Sequence, residues 1–246
     1  MSAGQEGERF AAASSGPWPH RHTSPPHDRH GESHAYDPQP QPQAHRHHRR
    51  REEYREVLPG PLLDLAEVEQ HARRLRTAVT VHIPGLLQTP EYAREVFRQD
   101  VPELSPPDIE HRISFRIKRQ AVLFRSTPTP HQAVVHEAAL RMQFGGADVT
   151  RRQLRHLLDT SEREHIGIRV IPFAAGTFAG SGQSIYYFAG AVSRLDTVNL
   201  DQSHGPVFLD SAAQLEKYRV LLGRMESTAL GETESRAFIH DIAHSL

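Results

Sequence analysis

Apolar positions along this chain follow two periods, and the alternation between them sets out the elements. Val79, Val81 and Ile83 alternate with Thr80 and His82, the two-residue period of a strand with one buried face. Leu65, Val68, Ala72 and Leu75 recur at helical spacing just before it, so a helix from about Leu62 feeds a strand over 77–83. Pro84-Gly85 breaks the strand, and Thr89-Pro90-Glu91 launches a helix: a hydroxyl to cap free amides, proline at the first helical position and a carboxylate against the positive helix end. Tyr92, Ala93, Val96 and Phe97 supply that helix's apolar face.

The same reading continues to the C-terminus. Ser105-Pro106-Pro107-Asp108 starts a helix with one apolar stripe, Ile109, Ile113, Ile117, Ala121 and Phe124. Its Arg112, Arg116, Lys118 and Arg119 read first as a solvated face, and alternatively as a site for an anionic ligand or acidic partner. Residues 132–136 form a short strand, 137–144 a helix ending at Gly145-Gly146, and a second helix from about Asp148 carries Leu154, Leu157 and Leu158 inward. Residues 166–173 are the clearest strand. A small-residue loop over 174–183 follows, then a hairpin of 184–189 and 195–200, and two helices over about 210–226 and 232–244. Helices that alternate with single strands until a late hairpin predict an α/β fold: a mixed sheet of about five strands covered by helices, closed by a C-terminal helical pair.

Residues 1–56 lack this periodicity. They hold eight of the eighteen histidines and seven of the eighteen prolines, with a basic cluster over 45–51. So little apolar surface predicts a disordered tail ahead of a single domain over 57–246. The balance of 29 Lys+Arg against 30 Asp+Glu gives no global charge that argues for nucleic acid or membrane. The absence of cysteine excludes disulfides and cysteine chemistry. With no long apolar run and no secretory leader pattern, a cytoplasmic protein is expected.

No complete catalytic motif emerges, so no catalytic residue, metal or cofactor is assigned. His136-Glu137-Ala138-Ala139-Leu140 begins like the zinc-protease HExxH but has Leu140 where the second histidine must stand. Residues 176–182 are glycine-rich but precede a strand, whereas a phosphate cradle needs a helix start. Parallel strands ending at Ile83, His136 and Phe173 would instead bring three loops to one rim. The candidate ligand site there comprises Gln88, Tyr92, Arg116, His136, Glu137, Phe173, Gly176 and Ser181. A small-molecule enzyme using His136 and Glu137 at this rim is the alternative. DNA contact through Arg151, Arg152 and Arg155, on the second helix of a superficial helix-turn-helix, is a further one, although the Gly145–Val149 link is longer than the usual tight turn.

Several stretches together resemble a known family. Ile83 to Glu95 (IPGLLQTPEYARE), Arg112 with Arg116, Arg119-Gln120, Val122-Leu123, Val134 to Arg141, Gly145-Gly146, Gln153-Leu154, Val170 to Phe173 with Gly176, and Glu234-Ser235 occur in the family's order. The resemblance is to the large domain of unknown function that follows an Xre-type helix-turn-helix in many actinobacterial, antitoxin-like transcriptional regulators, here with a His/Pro-rich tail in place of the helix-turn-helix. It implies a non-catalytic role in transcription regulation: a sensing domain for a small-molecule ligand or a regulatory protein partner, with DNA engaged only indirectly and a homodimer possible.

Overall fold

The computed structural model describes residue 54 and residues 58–180, 182–202 and 205–246. The expected tail therefore lies outside the described residues except for Tyr54, which is buried against Phe115 with ring centroids 5.1 Å apart.

Six strands form one mixed sheet in the order β3-β2-β1-β4-β5-β6. They are β1 (Arg74–Val79), β2 (His131–His136), β3 (Ile166–Ile171), β4 (Ile185–Ala189), β5 (Thr197–Gln202) and β6 (Gly205–Leu209). The first three are parallel neighbours, and β4, β5 and β6 add antiparallel steps. The expected α/β architecture with a C-terminal helical pair is what the chain adopts. The sixth strand, β6, is an addition, since Gly205-Pro206-Val207-Phe208-Leu209 is too short to announce itself beside a proline.

Among the described residues, the helices are α1 (Gly60–His71), α2 (Pro90–Phe97), α3 (Pro106–Arg119), α4 (Ala121–Phe124), α5 (Glu137–Arg141), α6 (Ala147–Thr160), α7 (Ala212–Thr228) and α8 (Glu232–Ser245). The start signals work as their chemistry predicts: Thr89 Oγ1 accepts the Tyr92 amide at α2, and Ser105 Oγ accepts the Asp108 amide at α3. None of the described helices is long and apolar enough to cross a membrane.

Three expectations change. The strand predicted over 77–83 is β1, which ends at Val79; Val81 is exposed while Thr80 is buried, because the chain leaves the sheet before Pro84. The helix predicted over 137–144 stops at Arg141, since Gly145 and Gly146 take positive φ of 78° and 86°, a conformation that favours glycine. One five-residue turn thus stands where the first helix of a helix-turn-helix would be. In α3 the buried apolar side chains are Ile109, Ile113 and Phe115, whereas Ile117 and, in α4, Phe124 are exposed; the helix is gripped on two sides.

Both sheet faces are covered. One face presents Ala78, Val134, Ile171, Ile185, Tyr187, Val198 and Leu200 to Leu215, Leu222 and Met225 of α7. On the other, α6 and α8 cover β2 and β3 with Leu154, Leu157, Ile239 and Ile242 over Ala133, Val135, Ile166, Ile168 and Val170. Beyond β1 that same face lies under α1, α3 and a short 3-10 turn, Gly85–Leu87.

Candidate functional site

The IPGLLQT segment is the scaffold. Three buried glutamine side chains hold its backbone. Gln88 Nε2 donates to the Ile83 carbonyl at 2.7 Å, and Gln120 Nε2 donates to the Gln88 carbonyl at 2.7 Å. Gln153 both donates to the Leu87 carbonyl and accepts the Thr89 amide, each at 2.7 Å. Tyr92, almost completely buried, accepts the Ile83 amide on its hydroxyl at 3.4 Å, and burial pushes its phenol up to about 12. An irregular buried backbone needs such partners, because turns leave amides and carbonyls that no ladder satisfies.

This scaffold presents Arg116. Its Nη1 donates to Gln88 Oε1 at 2.5 Å and its guanidinium lies 4.2 Å from the centre of the Phe97 ring. One turn on, Arg119 forms a two-pronged pair with Glu69 of α1, at 2.7 and 2.6 Å, with side chains 9% and 3% exposed. The reading of these arginines as a solvated face fails for Arg116 and Arg119. The helix is covered by α1 on one side and by the Gly85–Leu87 turn on another, and its exposed flank runs through Glu110, Ser114 and Ile117 instead.

Opposite the arginines, the sheet carries a polar row. Register sets Thr77, Tyr186 and Asn199 side by side on β1, β4 and β5. His131, one row along on β2, joins it through Nε2 to Thr77 Oγ1 at 2.9 Å. Row and arginines enclose a cavity of about 80 Å³, lined among others by Glu69, Gly85, Arg116, His131, Tyr186 and Asn199, with the exposed Asp201 on its wall. That is room for several waters or a small organic molecule. Among the described residues, four buried side-chain atoms lack a hydrogen-bond partner, and three of them belong to this lining: Arg116 Nε, His131 Nδ1 and Asn199 Oδ1.

The electrostatics follow from burial. Desolvation, helped by the neighbouring charge of Arg119, draws the Arg116 guanidinium down to about 10, so it stays charged at neutral pH. Desolvation alone takes His131 to about 4, leaving a neutral imidazole. Asp201 is raised by desolvation from the wall behind it, with the charge of Arg116 opposing.

The predicted site residues divide into two groups. Gln88, Tyr92 and Arg116 meet around the 3-10 turn, and of them only Arg116 lines the cavity. At the carboxyl ends of β2 and β3, His136 caps α5 by accepting the Ala138 amide and packs on the Phe173 and Phe178 rings. There Glu137 accepts from Arg141 and from the Phe173 amide, at 2.6 and 2.7 Å. Gly176, with φ of 71°, ends the exposed turn Phe173–Ala175, while Ser181 lies outside the described residues. The three parallel strands do share one rim, and Thr80 at the end of β1 donates to the Gly182 carbonyl of the 174–183 loop. The enclosed polar cavity is over the sheet face instead. On α6, Arg152 and Arg155 are exposed and Arg151 pairs with Asp148.

Glu69, Thr77, His131, Tyr186, Asn199 and Asp201 escaped the sequence reading. The available signal was polar residues at alternate positions in strands flanked by others, as in Val198-Asn199-Leu200-Asp201, which by itself reads as a solvent face.

A family model, domain of unknown function DUF5753, matches residues 62–241. The chain belongs to this family. The match runs from α1 into α8 and contains every residue named in the cavity lining. No curated relative and no solved structure matches the chain.

Proposed function

We propose that this family member is a sensing domain of a transcription regulator. It takes a small ligand into the cavity beneath α1, the Gly85–Leu87 turn and α3, and passes occupancy to a regulatory partner without turning the ligand over. The observation that carries this reading is the convergence of three unpartnered buried polar atoms on one cavity. Each such atom costs stability when left dry, so a domain that concentrates them in one place is arranged for something that pairs them. The link to regulation rests on the resemblance carried by residues 83–95 together with Arg116, Arg119 and Gln120. Those residues build and line this site.

The route outward is also built in. Arg116 holds Gln88, and Gln88 holds the backbone that leads into α2, so a ligand that engages Arg116 acts on a hydrogen-bonded chain reaching another helix. Thermal-shift screening of a metabolite library tests the reading, with Gly85→Ala and Arg116→Gln as controls. A Cβ at Gly85 would sit 3.6 Å from Arg116 Nε, an ordinary contact that leaves the fold intact while shielding the donor. A true ligand at one hundred times its Kd stabilises the wild type by about 2.7 kcal/mol, and both substitutions abolish the shift. A library without a hit, or hits that survive both substitutions, would overturn the proposal.

A further inference from the structure

We infer that the cavity is built for a small zwitterion of the amino-acid class, with its carboxylate on Arg116 and its ammonium between Asp201 and Asn199. The inference rests on the ligand-binding reading above and narrows it. Its basis is the placement of charge on the cavity wall. Four charged side chains line the space: Glu69, Arg119, Arg116 and Asp201. The first two close on each other through two short hydrogen bonds and leave nothing over for a ligand. Arg116 and Asp201 feel each other's field across the cavity but form no ion pair. One positive and one negative charge thus border the same small volume, Arg116 on its covered side and Asp201 on its open side, with no salt bridge between them.

That arrangement selects by charge type. A simple anion would neutralise Arg116 while placing a second negative charge near Asp201, whose ionised form desolvation already disfavours. A simple cation would do the converse at Arg116. A molecule carrying both charges a few bonds apart compensates the two together, the condition under which buried charges become favourable rather than costly.

The polar atoms fit the same orientation. Arg116 Nε has an N–H and no acceptor, which a carboxylate oxygen supplies. Asn199 Oδ1 has no donor and stands two residues from Asp201 on the same strand face, so an ammonium with three N–H groups can serve both. The polar row continues to Tyr186, paired in register with Asn199, which gives the ligand's remaining atoms a polar floor. A volume of about 80 Å³ confines the ligand to the most compact members of this class.

Isothermal titration calorimetry with the twenty common amino acids, followed by the desamino acid of each one that binds, tests the inference on the wild type, Asp201→Asn and Arg116→Gln. Asp201 is exposed, so Asp201→Asn keeps the fold, as far-ultraviolet circular dichroism will verify. At least one amino acid is expected to bind saturably, with its desamino counterpart at least tenfold weaker. Asp201→Asn should erase that difference by weakening the amino acid alone, and Arg116→Gln should weaken both. Desamino acids that bind as well as their amino acids, or an Asp201→Asn protein that still prefers the amine, would overturn the zwitterion inference and leave the sensing domain standing. The zwitterion inference also fails, with the sensing domain intact, if no amino acid binds but another library compound shifts the wild type in a Gly85- and Arg116-dependent way. A protein that binds none of these and nothing in the library loses both readings.

Discussion

Over β3 and the stretch of β2 beyond His131 the sheet face is dry: Ile166, Ile168, Val170, Ala133 and Val135 meet Leu154, Leu157 and Ile239, and all are buried. Over β1, β4 and β5 the same face carries Thr77, Tyr186 and Asn199, and its cover brings Arg116, Arg119 and Glu69 alongside Leu62, Leu65 and Leu86. The two halves belong to one sheet, parallel at β2 and β3 and antiparallel at β4 and β5. The covering layer differs too. The neighbouring helices α6 and α8 lay apolar stripes on the first half, while the second lies under α1, a 3-10 turn held by glutamines, and α3. The dry half supplies free energy through burial and packing. The polar half retains unpaired groups that a purely structural core would have replaced with hydrocarbon.

Three experiments sharpen or break this contrast. The largest effect is expected in the dry half. Leu157, fully buried, truncated to alanine should lower unfolding stability by about 2–5 kcal/mol in urea titration. A loss well under that would mean the α6 layer is not the stabilising one.

Next is the pH dependence of the polar half. The imidazole of His131 titrates at about 4 in the folded protein against an ordinary 6.5, because burial disfavours its charged form. Between those values the unfolded chain binds more protons than the folded one. The stability that neutral His131 provides is therefore complete above pH 6.5 and lost as pH falls through about 4, by about 3 kcal/mol in all. His82, His136 and His156 are lowered too, chiefly by desolvation, and act with the same sign, so the decisive readout is the difference between wild type and His131→Gln. Denaturant midpoints of the two proteins should converge as pH drops from 6.5 toward 4; parallel curves would place His131 in a wetter setting.

The smallest effect has the opposite direction. Asn199→Leu removes an unpaired buried acceptor and fills space beside it, and should raise stability by about 1 kcal/mol while eliminating ligand binding. Destabilisation would show that Asn199 is a structural member of the polar row.

Much of the fold is legible because its signals are local. Thr89-Pro90 and Ser105-Pro106 mark helix starts through groups within one turn of each other, and the capping hydrogen bonds bear them out. The run 166–173 is a strand in any context that buries both its faces, and Ile166–Ile171 packs under α8 with Ser235 Oγ accepting the Val170 amide. The site is far less legible. Arg116 stands out in the sequence, yet solvation is its first reading, because the periodicity of one helix cannot say how many of its sides will be covered. Asn199 and Asp201 look like the wet side of a hairpin strand, and only the cover of α1 and α3 buries Asn199 while Asp201 stays exposed at the cavity wall.

The sequence by itself determined most of the local elements: the capped helix starts, the Pro-Gly exit before the 3-10 turn, the mixed α/β class and the family to which the chain belongs. These depend on period, capping chemistry and turn conformations, all written within a few residues. Tertiary structure decided which polar residues share a cavity. Glu69, Arg116, His131 and Asn199 come from α1, α3, β2 and β5, separated by up to 130 positions from first to last. What joins them is strand order and the stacking of two helices, and whether a charge is solvated or buried depends on that stacking, because the cost of desolvation is set by neighbours the chain brings from far away.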